Sequence, residues 1–196
     1  TKEGYHLRYW YITPAVYTNQ WELMSNLDLD DLFEEPTDFD IEFSVPNEYV
    51  VESNIYQYLT KRVGYNDYYL IARKKSDIIL SINKSNRLKT FTTKNINVYT
   101  DVISEELNYQ QTTDILTKQV DFIEKYLGPY PHKEIYIDEV SQKKDPIYGL
   151  SQLPNFIQPF PKEFNWEITM FKALAKRYLQ NTLFVNKRKD IWLVDG

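Results

Sequence analysis

Apolar and polar residues alternate over Asp38 to Val45 (DFDIEFSV), with Phe39, Ile41, Phe43 and Val45 on one face and charged or hydroxyl groups on the other. A period of two marks a strand with one buried face. Shorter runs of the same kind lie at residues 5–12 (YHLRYWYI), 50–53 (VVES), 67–74 (DYYLIARK), 77–83 (DIILSIN) and 96–100 (INVYT). Turn-forming stretches at Pro46-Asn47, Gly64 and Lys84-Ser85-Asn86 separate them. The pattern predicts a mainly antiparallel β domain over 1–104.

Beyond about residue 104 the period lengthens. Ile115, Leu116, Gln119, Val120, Ile123 and Leu127 keep a three-to-four spacing, and Gly128-Pro129 ends the run, which predicts a helix of about four turns. Ile135 and Ile137, with Val140 after them, alternate as a short strand, and a loop rich in Lys and Asp leads to YGLSQLP at 148–154. From Phe164 a stripe of Phe164, Ile168, Phe171, Ala175 and Tyr178, flanked by Leu174 and Leu179, predicts a second long helix. The region 105–196 therefore reads as a separate α+β unit, and the chain as α+β. It contains no internal repeat.

Composition narrows what such a chain can do. With 196 residues, 42% of them hydrophobic and 16% aromatic, it has core material for one large domain or two small ones. A net charge of −5 supplies no basic field to attract nucleic acid or anionic lipid, so neither is expected as a partner. No stretch reaches the roughly 18 apolar residues that cross a membrane, and no charged-then-apolar leader opens the chain. The chain begins at Thr1 rather than a methionine and stops at Gly196 just after an apolar stretch, which reads as a piece of a longer polypeptide. Compartment is thereby left open. There are no cysteines, which removes thiolate nucleophiles and thiolate metal sites, and the two histidines, His6 and His132, lie far apart in sequence.

Three features carry candidate chemistry with bland readings in front. The acidic stretch of Asp28, Asp30, Asp31, Glu34, Glu35, Asp38 and Asp40 lacks the glycine and terminal glutamate of a calcium loop, and reads as a solvated acidic loop before a cation site. The seventeen tyrosines suit a packed sheet before they suit stacking platforms for sugars or bases. His132, in the turn GPYPHKE, reads as structural. The fourth feature is less easily absorbed. FKALAKRYL (171–179) sets Lys172 and Lys176 four residues apart at the edge of an apolar stripe, a spacing at which like charges repel.

The order of elements around that helix, a helix ending in a GPYP turn, a strand, YGLSQLP, the long helix and then DIWLVDG, resembles the zinc aminopeptidases of the aminopeptidase N and leukotriene-hydrolase type, which are gluzincins. In that family an HExxH helix follows a segment that recognises the substrate amine, and a W-L-x-E-G segment supplies the third zinc ligand nineteen residues after the second histidine. Here Lys176 to Asp195 is nineteen residues, with WLVDG in the expected place. Upstream, YWYITPAVYTNQWELM and DFDIEFSVPNEYVVES resemble the family's β-domain segments. The resemblance implies the end of an N-terminal β domain (1–104) followed by the front half of a thermolysin-like α+β domain (105–196).

It also implies that the metal site is degenerate. Carried over position by position, KALAK puts Lys172 and Lys176 where the two imidazoles belong and Ala173 where the general base belongs. An ammonium must lose a proton with a pKa near ~10.4 before it can coordinate zinc, and alanine deprotonates nothing. Asp195 keeps a carboxylate at the third-ligand position, one methylene short, and in the segment from Gly149 to Gln152 the uncharged Gln152 stands where the family has its amine-binding glutamate. The expectation is a chain without zinc or any other cofactor and without catalytic residues, which binds a peptide or protein partner or acts as a scaffold. Lys172 or Lys176 paired with Asp195 would then replace part of the lost metal charge. An active zinc peptidase with ligands from outside this chain, and a β-domain binding module, are the alternatives.

Overall fold

The structure, a computed structural model, describes residues 4–22, 33–140, 160–183 and 186–190. The chain divides into two compact units, Thr1–Arg87 with Leu183–Gly196, and Leu88–Thr182.

Among the described residues of the first unit, six strands form two antiparallel sheets. The strands are β1 (Gly4–Arg8), β2 (Thr37–Pro46), β3 (Val50–Ser53), β4 (Tyr56–Lys61), β5 (Tyr65–Lys75) and β6 (Ile79–Asn83), arranged β1-β6-β3 and β2-β5-β4. The alternation in β2 works as its sequence predicts. Val45 is buried and Phe39, Ile41 and Phe43 pack against the core, while Asp38, Asp40, Glu42 and Ser44 are exposed. Their neighbours in that core include Val51, Ile55, Tyr68, Leu70, Ile78 and Leu80.

The run over 5–12 forms a strand only as far as Arg8. Tyr9 takes a left-handed φ of 52°, which breaks the pleat, and Trp10 and Tyr11 then both pack against the core instead of alternating. Their rings meet edge to face at 5.9 Å.

The second unit begins ahead of the change in period near residue 104. Strands β7 (Lys89–Thr92) and β8 (Asn97–Thr100) pair antiparallel, and β8 pairs in parallel with β9 (Glu134–Ile137) across the helix α1 (Tyr109–Leu127), so the two strands before the helix belong with it. A parallel pair needs such a crossover. Asn108 starts α1 with a capping box, its side chain accepting from the Gln111 N–H while the Gln111 side chain accepts from the Asn108 N–H. Gly128 ends the helix at φ 90°, a conformation that a side chain would strain. Leu127, expected on the apolar stripe, is instead exposed at the last turn. Val140 lies beyond the end of β9, while Ile135 and Ile137 are buried.

The described residues further along include the helix α2 (Lys162–Thr182) and the single turn α3 (Lys187–Asp190), the latter within the first unit. The core of the second unit joins Phe91, Val98, Leu116 and Ile137 to Met170 and Leu174 of α2. Fully burying a side chain of this size contributes roughly 1.5–3 kcal/mol. Among the described residues, no helix is long and apolar enough to cross a membrane.

Candidate functional site

The helix α2 carries the positions in question, and its rotation decides where they face. Trp166, Met170, Ala173, Leu174 and Tyr178 are its buried residues. Phe164 is 41% exposed, and Ile168, Phe171 and Ala175 are only partly buried, so the stripe expected from the sequence lies to one side of the true core face. Tertiary hydrogen bonds fix that rotation: the Trp166 indole N–H donates to the Val102 carbonyl at 3.0 Å, and the Gln119 amide donates to the Glu167 carbonyl at 2.8 Å.

With that rotation Lys172 is exposed, Lys176 is partly buried, and both are engaged with neighbouring groups. Ala173 points the other way, 2% exposed inside the hydrophobic core. The lysines share a flank of the helix, as a spacing of four requires, and Ala173 lies about 100° around the axis from Lys172 and about 60° from Lys176. Gly149, Gln152 and Asp195 fall outside the described residues, and with them the pairing expected between Asp195 and a lysine.

An ion pair that the sequence reading missed holds the same helix. Arg177 and Asp138 approach to 3.8 Å, with only 14% and 13% of their side chains exposed, and Arg177 also donates to the Gln180 side chain at 3.2 Å. Asp138 directly follows β9, so the pair ties α2 to the strand's end. Nothing local in the sequence signals it.

Other bonds fix the turn before β9. Glu124 accepts from the Tyr130 N–H at 3.1 Å and from the Asn95 amide, while the Tyr178 hydroxyl donates to the Gly128 carbonyl. Burial pushes the Tyr130 phenol well above its ordinary range, against the opposing pull of Arg177, and burial also raises Tyr178. Both phenols therefore stay protonated, and that of Tyr178 is the donor to Gly128. His132 packs edge-on against Tyr130 at 5.6 Å, consistent with a structural role, and His6 contacts Ser81 at 2.9 Å in the first unit.

Asp28, Asp30 and Asp31 of the acidic stretch lie outside the described residues. Glu34 is buried, and its carboxylate takes a hydrogen bond from Tyr11, whose phenol is raised first by burial and then by the charges of Glu34 and Asp77. Asp38 accepts from the Lys74 N–H, and Asp40 pairs with Arg73. Among the described residues, no group of three His, Cys, Asp or Glu is placed to hold a metal ion. The donor set at Lys172, Ala173 and Lys176 does not fit zinc, since it offers two cations and a methyl group to a dication.

An antiparallel β unit followed by a mixed sheet covered by two long helices is a fold found within the M1 zinc metallopeptidases. The chain is similar to a solved M1 zinc metallopeptidase from Deinococcus radiodurans, with a TM-score of 0.52 at 12% identity, and to a point mutant of that enzyme, with 0.51 at 14%. A form of the mutant bound to a Tyr-Ser-Ala substrate gives a TM-score of 0.50 at 15% identity. Each match covers 82% of this chain and 38% of the solved one. No protein-family model matches the sequence, and no curated protein does.

Proposed function

We propose that this chain is part of a non-catalytic relative of the M1 zinc metallopeptidases, a pseudo-peptidase that binds a peptide or protein or serves as a scaffold in a longer polypeptide. The observation that carries the reading is Ala173, buried at 2% exposure between two lysines on the helix whose sequence order matches the HExxH helix. A general base at that position would need to face a water-bearing cleft, and here the position faces hydrocarbon. The flanking ammonium groups repel a dication. The partly buried Arg177–Asp138 pair supports a scaffold role, because it fixes the helix to the sheet without a metal.

Zinc content by elemental mass spectrometry, on full-length protein purified with zinc supplied and no chelator, tests the reading together with hydrolysis of aminoacyl p-nitroanilides. The expected result is well below one zinc per chain and no turnover above background. One zinc per chain with measurable turnover would overturn it and favour a peptidase whose ligands come from other residues.

A further inference from the structure

We propose that the outer face of the β2-β5-β4 sheet docks an extended, lysine- or arginine-bearing segment of a protein partner. The site is distinct from the α2 helix and does not rest on the reading given for it. Cross-strand register sets two parallel rows on this face: Asp40, Ile71 and Tyr56 in one, and Glu42, Tyr69 and Tyr58 in the next. Carboxylates thus line the β2 side and tyrosines the β4 side. Tyr58 stacks on Tyr69 with centroids 4.8 Å apart and planes 8° from parallel, Tyr56 adjoins Tyr58 at 6.4 Å, and Tyr56 and Tyr58 remain 63% and 46% exposed.

The charge on the face selects the occupant. Asp38, Asp40 and Glu42 alternate along β2, their Cα atoms about 7 Å apart, which is the repeat of alternate residues in an extended peptide. Against them stands Arg73, 3.1 Å from Asp40 and 3.9 Å from Asp38 and held by bonds to the Phe39 and Ala72 carbonyls; one guanidinium offsets only part of the charge of the three carboxylates, and at more than half exposed its pairing contributes little. Arg62 is committed to Asp67 and to Ser44. The Tyr69 phenol is raised, first by the charge of Glu42, which marks the same spot as electronegative. Ring faces and carboxylates both attract cations. A neutral sugar can stack on the tyrosines and donate its hydroxyls to the carboxylates, but it leaves their charge uncompensated, which a basic segment does not. A second copy docked through this face would set that row against itself, since a two-fold contact repeats the same patch on both sides.

Fluorescence anisotropy with a labelled Lys-Thr-Lys-Thr-Lys-Thr-Lys peptide tests this on the full chain, with the Glu-Thr counterpart as a control. Binding of the basic peptide alone is expected, weakening as salt rises. Glu42→Gln and Tyr58→Ser should each weaken it about threefold to tenfold, whereas Glu105→Gln, which removes the same charge from the second unit, should leave it unchanged. Equal losses for Glu42→Gln and Glu105→Gln would reduce the effect to net charge and overturn the proposal. So would equal binding of the acidic peptide, no binding up to millimolar peptide, or self-association through the face.

Discussion

Restoring the carboxylate of an HExxH motif by Ala173→Glu is expected to destabilise the second unit rather than build a site. Ala173 is 2% exposed among apolar side chains, so the longer side chain must first be forced into a packed core, at about 1–3 kcal/mol. Ala173→Gln carries the same steric load without charge, and the difference between the two variants isolates the cost of burying an ion. Desolvation raises the folded-state pKa of the introduced carboxyl above its unfolded value near ~4.3, each unit being worth about 1.4 kcal/mol. The sign follows from proton counting. Between the unfolded and the raised folded pKa, the native state binds more protons than the unfolded state, so the stability of the Glu variant falls as pH rises through that window. A rise of two to three units gives the Glu variant a deficit of about 3–4 kcal/mol against Gln at pH 8, shrinking towards zero at pH 4. Urea titrations followed by circular dichroism at pH 4, 6 and 8 measure this. Equal stability of the two variants at all three values would refute the reasoning, because Ala173 would then face water and the helix would be rotated from its described setting.

Three further outcomes follow from the same contacts. Asp67 accepts from Ser44 and Arg62, which holds its carboxyl below the usual range, so it contributes stability above its unfolded pKa that is lost as pH falls through the lower folded value; Asp67→Asn should flatten the acid limb of a melting-temperature profile. A double-mutant cycle with Arg177→Leu and Asp138→Asn should return a coupling of about 1–2 kcal/mol, between exposed and fully buried pairs, and a value near zero would remove the tether. Tyr178→Phe loses the bond to the Gly128 carbonyl and should cost about 1 kcal/mol, a fall of several degrees in melting temperature by calorimetry.

What the sequence revealed depended on whether one face of an element meets water. Strand β2 was legible because Phe39 to Val45 alternate against a core, whereas β4 was not, because YQYLTK is exposed along nearly its whole length and leaves no apolar rhythm. Strand β7 hides for a related reason: Phe91 is its one buried side chain. In α2 the existence of the helix was plain but its rotation was not. Aromatic and aliphatic residues occur around most of its circumference, and the Trp166 bond to Val102, 64 residues away, selects the face. The candidate site divides the same way. The residue types at 172, 173 and 176 were readable as chemistry, while the Arg177–Asp138 pair needed the chain folded before the partners could be seen together.

The first unit is discontinuous, interrupted by Leu88–Thr182 and resumed at Leu183. Glu22 waits on that return: its carboxylate binds Lys189 at 2.9 Å and the Asn186 amide at 3.3 Å, partners made more than 160 residues later. During synthesis from the N-terminus, the six strands can pair early, but this contact forms only after the whole second unit has left the ribosome. At about 5–20 residues per second, that is a delay of roughly ten to thirty seconds. The contacts described within Leu88–Thr182 join residues of one continuous stretch and need no such return.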